Sequence, residues 1–283
     1  MHAIKKALQT EIHQETMLKQ RIITALILVA MLLAALVVPN PIFWRLFISI
    51  ALLIGFWEWL SFCKITDPVK SIPFYVLFVL LFATLQAGVM PMLWLVAISC
   101  LFWLLLLCFT FKDVLTGFHT PWIKALIGIW VLCTSGYFVI ELKAIENGAL
   151  WILCMMIAIW AADIGAYFVG RRFGKTKLAP SISPGKTVEG LVGGLVLVLA
   201  LFVPLMVINF DIKKAGLLIL TVLITALMSV CGDLFESKLK RYVDLKDSSQ
   251  ILPGHGGILD RIDSLLAGVP FFMLGLFLLG ILT

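Results

Sequence analysis

Residues 215–235, AGLLILTVLITALMSVCGDLF, and residues 264–282, SLLAGVPFFMLGLFLLGIL, enclose the charged stretch SKLKRYVDLKDSSQILPGHGGILDRID of residues 237–263. Each flanking run has the length of about twenty residues that a helix needs to cross the bilayer hydrocarbon. No water is available there to satisfy backbone groups, so each run must close its own hydrogen bonds as a helix. Barrel strands would alternate apolar and polar at every second position, and these runs do not. The polar stretch then lies between two spans, at a membrane surface, with five cations (Lys238, Lys240, Arg241, Lys246, Arg261) close to five carboxylates (Asp233, Asp244, Asp247, Asp260, Asp263). Its turn Pro253-Gly254-His255-Gly256-Gly257 runs straight into Asp260-Arg261-x-Asp263 at the start of the next span.

The same pattern extends along the chain. A hydrophobic content of 62%, a charged content of 13% and a mean hydropathy of +1.09 exclude an ordinary soluble domain. The fold class is all-α, a polytopic membrane bundle of nine expected spans: 22–38, 42–62, 72–87, 91–110, 122–140, 149–169, 188–209, 215–235 and 264–282. Pro39-Asn40-Pro41, Asp67-Pro68, Gly88 to Pro91, Pro121 and Asn147-Gly148 mark the short breaks. With the N-terminus cytoplasmic, 18 of the 22 Lys and Arg fall on the cytoplasmic side, leaving only Arg45, Lys143, Lys213 and Lys214 opposite. This bias predicts an N-in, C-out chain. It also accounts for the net charge of +6 through topology and anionic lipid headgroups, with no need for nucleic acid.

The organisation expected is a cytoplasmic segment 1–21, able to form a surface helix; transmembrane helices over 22–140; and a region 141–283 that carries the chemistry on loops 170–187 and 236–263. The long charged lead before the first span, with no small-residue cleavage site after it, argues against a cleaved signal peptide. Six cysteines without a C-x-x-C pair read as reduced thiols inside or beside the spans.

Charges within apolar runs are costly unless they face a cavity or a partner, so Asp163, Glu189 and Asp233 are site candidates. Asp163 sits about 10 Å below the surface, on the rise of a helix; the bland alternative is a pair with Arg171 or Arg172. Loop 170–187 holds Arg171, Arg172, Lys175, Lys177 and Lys186 with no acid before Glu189. Cations with Ser183, Thr187 and the free amides of a helix start suit a polyphosphate; positive-inside topology alone is the plainer account. Gly185-Lys186-Thr187 is not a Walker A loop, since Pro180 stands where that motif needs glycine and no strand can precede it in a membrane helix. Asp233, Glu236 and Ser237 share one helical face, and Asp260 and Asp263 open the ninth span. Carboxylates on two helix ends that meet would suit Mg²⁺, which takes one or two of them plus waters and phosphates; a salt-bridge network with Lys240, Arg241 and Arg261 is the structural alternative. His255 could act as base, phosphate donor or turn residue, and a zinc site is disfavoured with no Cys or second His nearby.

These residues carry a resemblance. Ser237-x-Leu239-Lys240-Arg241-x4-Lys246-Asp247-x-Ser249-x2-Leu252-Pro253-x-His255-Gly256-Gly257-Ile258-x-Asp260-Arg261-Ile262-Asp263 resembles the signature of the phosphatidate cytidylyltransferases, or CDP-diacylglycerol synthases. Ala162-Asp163-x-Gly165-Ala166-Tyr167, Lys177-Leu178-x-Pro180, Ser183-Pro184-Gly185-Lys186-Thr187 and Gly232-Asp233-x-x-Glu236-Ser237 are similar to that family's other motifs. The likeness is dense over 151–270 and thin before 120, where Glu58-Trp59 is the one matching pair. Gly185, where many relatives carry Lys, and Ser249, often Gly, depart from the pattern.

The resemblance implies transfer of CMP from CTP to phosphatidate, giving CDP-diacylglycerol and pyrophosphate in phospholipid synthesis. It implies Asp233 and Asp260 as Mg²⁺ ligands, with K⁺ as a second ion. Asp233, Asp260, Lys240 and Asp163 are the expected catalytic residues. Arg172, Ser183, Lys186, Thr187, Glu189, His255, Gly256 and Arg261 are expected to bind the nucleotide, Glu189 with Asp163 in the inner polar cavity. A homodimer in a bacterial inner membrane, with the site facing the cytoplasm, is the expected setting. An ion-coupled transporter using the buried carboxylates is the alternative from another class, against which the carboxylates gather at one side and not the midplane. The aspartate-rich motif of CDP-alcohol phosphotransferases is absent.

Overall fold

The computed structural model describes the backbone of residues 2–111 and 120–282, and side chains from Lys19 onward within these ranges. Most of the expected loop 111–121, with Lys112, lies outside the described residues. Nine helices account for nearly all of the described chain: α1 (His2–Val37), α2 (Pro41–Phe62), α3 (Pro68–Gln86), α4 (Met92–Phe111), α5 (Pro121–Ala144), α6 (Gly148–Phe173), α7 (Val188–Asn209), α8 (Ile212–Tyr242) and α9 (Leu259–Leu278). All nine contain a stretch long and apolar enough to cross a membrane, and the protein is an integral membrane protein. Ile22, Leu26, Trp94, Leu101, Ile208 and Ile212 point outward, as a lipid-facing surface allows.

Capping explains where several helices begin. Asn40, Asp67 and Asp211 each accept amide hydrogen bonds from the first turn that follows, and proline opens α2, α3 and α5. Residues 2–21 are not a separate surface helix: the backbone of α1 runs from His2 through the first span without a break.

α5 is the central post. Most of it is buried, including Val131, Leu132, Cys133 and Phe138, and it packs against α2, α3, α6 and α9. The C-terminal half is built from two close pairs, α6 with α7 and α8 with α9. Small residues let the backbones approach: a Cβ on Gly194 would stand 2.4 Å from the Ala162 carbonyl oxygen, and one on Gly232 would stand 2.5 Å from that of Asp263. The second approach brings Asp233 of α8 beside the first turn of α9.

Two features depart from the sequence expectation. α8 continues seven residues past the expected end of its span, to Tyr242, because Phe235 and Leu239 are core residues and its charged side chains face inward partners. Loop 170–187 contains a short antiparallel hairpin, β1 (Lys177–Ala179) with β2 (Ser183–Thr187), pinned to α8 by Arg241 Nε donating to the Ile182 carbonyl.

Candidate active site

At the end of the bundle that carries the hairpin and the 243–258 loop, carboxylates from α6, α8 and α9 converge on two lysines. Lys186, projected from β2, donates to Asp233 Oδ2 at 2.5 Å, and Ser237 one turn on donates to Asp233 Oδ1 at 3.1 Å. Lys240 of α8 donates to Asp260 Oδ1 at 2.7 Å and stands 3.1 Å from Glu236 Oε1. Asp163 and Asp263 line the same cavity. The cavity has a volume of about 890 Å³ and runs from these charges to an apolar wall that includes Leu28, Leu32, Trp44, Phe47, Ile48 and Met155. One space thus joins a charged end to an apolar wall.

Asp260 is held rigidly. Its Oδ2 accepts from the Ser248 amide (2.8 Å), the Gly257 amide (2.8 Å) and the Ser248 hydroxyl (2.9 Å), leaving Oδ1 for Lys240. The glycines of the turn are required by this crowding: a Cβ on Gly256, whose φ is +81°, would lie 2.5 Å from Asp260 Oδ2, and one on Gly257 would lie 2.0 Å from Ser248 Oγ.

Beneath the turn lies a residue that sequence reasoning noted only as a match. Glu58 of α2 is fully buried. Its Oε1 accepts from Ser249 Oγ (2.5 Å) and the Ile258 amide (3.0 Å), its Oε2 from Ser248 Oγ (3.1 Å) and the Leu259 amide (2.6 Å). It caps α9 from across the chain, satisfying amides that helix starts leave orphaned. The only signal was an acid inside an otherwise apolar span.

The expected site residues divide in two. Asp163, Asp233, Lys186, Lys240, His255, Gly256, Asp260 and Arg261 gather around the cavity and its turn. Three others do not. Arg172 ends α6 on the surface, its guanidinium 5.7 Å from the Phe173 ring centroid. Thr187 is buried as the N-cap of α7, its Oγ1 accepting from the Gly190 amide at 3.1 Å. Glu189 accepts from the amides of Lys175 and Thr176 at 3.1 Å, so it fastens the hairpin and does not line the inner cavity. Ser183 is half-buried where β2 opens, paired in register with Ala179. The alternative pairing of Asp163 with Arg171 is not formed, because Arg171 donates to the Tyr167 hydroxyl at 3.0 Å. His255 has its Nδ1 buried without a partner; burial and the nearby Arg261 charge push its pKa below the usual imidazole range.

Among the described residues no three His, Cys, Asp or Glu side chains are grouped closely enough to enclose a metal ion. The donor set still suits Mg²⁺, which needs few protein ligands when phosphates and waters supply the rest. Glu236, 2% exposed, is paired through Oε1 with Lys240 while its Oε2 is buried without a partner, and the cavity is lined by Asp163, Asp233, Asp247, Asp260 and Asp263 against Lys240 and Arg261, so it has room for positive charge.

Comparison with known proteins agrees with this chemistry. The model of the cytidylyltransferase family matches residues 19–279. A phosphatidate cytidylyltransferase of Haemophilus influenzae is 37% identical over 90% of this chain and 97% of its own length. One of Pseudomonas aeruginosa is 39% identical over 90% and 96%, and one of Bacillus subtilis 46% identical over 60% and 61%. The match takes in α2 through α9 whole, and with them Glu58, Lys186, Asp233 and Asp260: the chain belongs to the cytidylyltransferase family.

Proposed function

We propose that this protein transfers CMP from CTP to phosphatidate, releasing pyrophosphate and forming CDP-diacylglycerol. The observation that carries this reading is the single cavity whose charged end is lined by Lys240, Arg261 and the carboxylates, with Lys186 paired to Asp233 at its edge, while its far wall is apolar. It matches two substrates that are both anionic at the reacting centre, one of which is also a lipid. The phosphate oxygen of phosphatidate is nucleophilic at neutral pH, so no Ser or Cys nucleophile is needed. Catalysis then consists of bringing two anions together and stabilising charge on the phosphoryl group in transfer. Lys186 and Lys240 supply positive charge, Asp163 and Asp263 keep the lysines oriented through their field, and the Glu58-anchored turn fixes Asp260.

Asp233 and Asp260 are the residues that would hold Mg²⁺, which when bound polarises phosphoryl oxygens and offsets their charge; K⁺ is the second ion of this reading. The charge bias supports a site on the cytoplasmic side, where CTP is available, and we take the membrane to be a bacterial inner membrane and the assembly to be a homodimer. Nothing observed favours the ion-coupled transporter.

The test is purified protein with CTP, phosphatidate and Mg²⁺, following pyrophosphate. Turnover dependent on both substrates is expected; its absence in protein that is folded and lipid-supplied would reject the reading. Lys186→Ala is expected to raise the KM for CTP about tenfold or more, since a charge-assisted hydrogen bond contributes about 1.5–3 kcal/mol. A KM and rate both unchanged would remove Lys186 from the nucleotide site.

A further inference from the structure

A second cavity, of about 670 Å³, adjoins the first at the 252–256 turn. Asp247, Leu252, His255 and Arg261 line both cavities, so the two spaces adjoin along these residues. The second cavity has a different character. Arg21, Lys246 and Arg261 bring three cations to its wall against the one acid, Asp247. None of the three makes an ion pair among the described residues. Arg21 is nevertheless fixed in place, because its Nε donates to the Gly254 carbonyl at 3.1 Å while Thr24, one turn on, donates to the Pro253 carbonyl at 3.0 Å. The guanidinium terminus is left over for a ligand. Apart from His255 no aromatic ring lines the space, which disfavours a stacked base and favours a compact anion.

Phosphoryl transfer sets which anion. Attacking and leaving oxygens lie roughly in line on opposite sides of the phosphorus. The lipid must occupy the first cavity, because only that one has an apolar wall. The leaving group must then depart on the opposite side of the reacting phosphorus, away from the acyl chains. We propose that the second cavity is the pyrophosphate subsite, binding the β- and γ-phosphates of CTP through Arg21, Lys246 and Arg261, and that α1 contributes Arg21 to it directly. A phosphatidate oxygen forms its bond to the α-phosphorus where the two cavities adjoin. The bond from that phosphorus to the bridging oxygen breaks, and pyrophosphate keeps the electron pair and leaves into the cationic pocket.

This inference rests on the cytidylyl-transfer reading, and the experiment separates the two. Product inhibition by inorganic pyrophosphate is measured on the full-length purified protein at fixed excess Mg²⁺, for wild type, Arg21→Gln and Lys246→Ala. Each variant is expected to raise the inhibition constant of pyrophosphate about tenfold and the KM for CTP with it, while the KM for phosphatidate stays within about twofold, the size expected from removing one charge-assisted hydrogen bond to phosphate. Arg21 also ties down the turn, whereas the Lys246 side chain has no hydrogen bond or ion pair among the described residues, so Lys246→Ala decides if Arg21→Gln merely loosens the loop. An unchanged pyrophosphate constant in Lys246→Ala would overturn the proposal. So would a rise confined to the phosphatidate KM, which would assign the pocket to the lipid headgroup. A wild-type protein with no CTP-dependent turnover would instead reject the reading of the reaction.

Discussion

Asp260→Asn is expected to lower the rate of CDP-diacylglycerol formation about a thousandfold or more while leaving the protein folded. The geometry says why the two effects separate. The Asn carbonyl oxygen can replace Oδ2, continuing to accept from the amides of Ser248 and Gly257 and from the Ser248 hydroxyl. Its NH2 group must then take the place of Oδ1, where it faces the Lys240 ammonium at what is now 2.7 Å. Donor meets donor, and the charge that Lys240 and a bound cation would share is gone. The turn keeps most of its hydrogen bonds, so helical content and thermal unfolding in detergent should change little. A thousandfold is about 4 kcal/mol of transition-state stabilisation, a size consistent with removing one charged group from a preorganised phosphoryl-transfer site. Initial rates at saturating CTP and phosphatidate measure it; turnover within tenfold of wild type would remove Asp260 from the chemistry.

The membrane architecture was readable because hydrocarbon leaves the backbone one choice. Each apolar run had to be a helix, and the spans 42–62 and 188–209 match α2 and α7 to within a residue at each end. Errors fell where charge was used to end a helix. α8 carries Glu236, Lys238 and Lys240 inward, each buried, and Lys238 caps the end of α4 by donating to the carbonyls of Phe109 and Thr110. Stopping the span at residue 235 treated those charges as solvated. The hairpin of Lys177–Ala179 and Ser183–Thr187 had no apolar alternation to announce it, and Pro184 and Gly185 argued against a strand. The same blind spot explains Arg172, Thr187 and Glu189. Residue type suggested phosphate binding for Arg172 and Thr187 and a place in the inner polar cavity for Glu189, yet their partners are the Phe173 ring, the Gly190 amide and the amides of Lys175 and Thr176, neighbours set by a fold that sequence does not print. Asp233 and Asp260, which the family's motifs pair, line the same cavity.

Glu58→Gln is the substitution that tests how far the site depends on a residue outside the charged loops. Each Glu58 oxygen accepts from one serine hydroxyl and one backbone amide of the α9 start. A hydroxyl can rotate to accept from a Gln NH2, but an amide N–H cannot. Whichever way the Gln side chain is turned, either Ile258 or Leu259 is left with a buried donor facing another donor. Leaving such a group unsatisfied costs about 1–3 kcal/mol. The turn can avoid that cost only by moving, and Asp260 lies immediately beyond these two amides. We therefore expect kcat to fall about 10- to 100-fold with the KM for phosphatidate unchanged. Amide hydrogen exchange should quicken over residues 248–262, while the α6–α7 pair, which supplies none of these hydrogen bonds, keeps its protection. A merely structural role would lower protection throughout the bundle and reduce yield without this local pattern. Retention of kcat within twofold, with exchange over 248–262 at the wild-type rate, would show that Asp260 holds its position without Glu58.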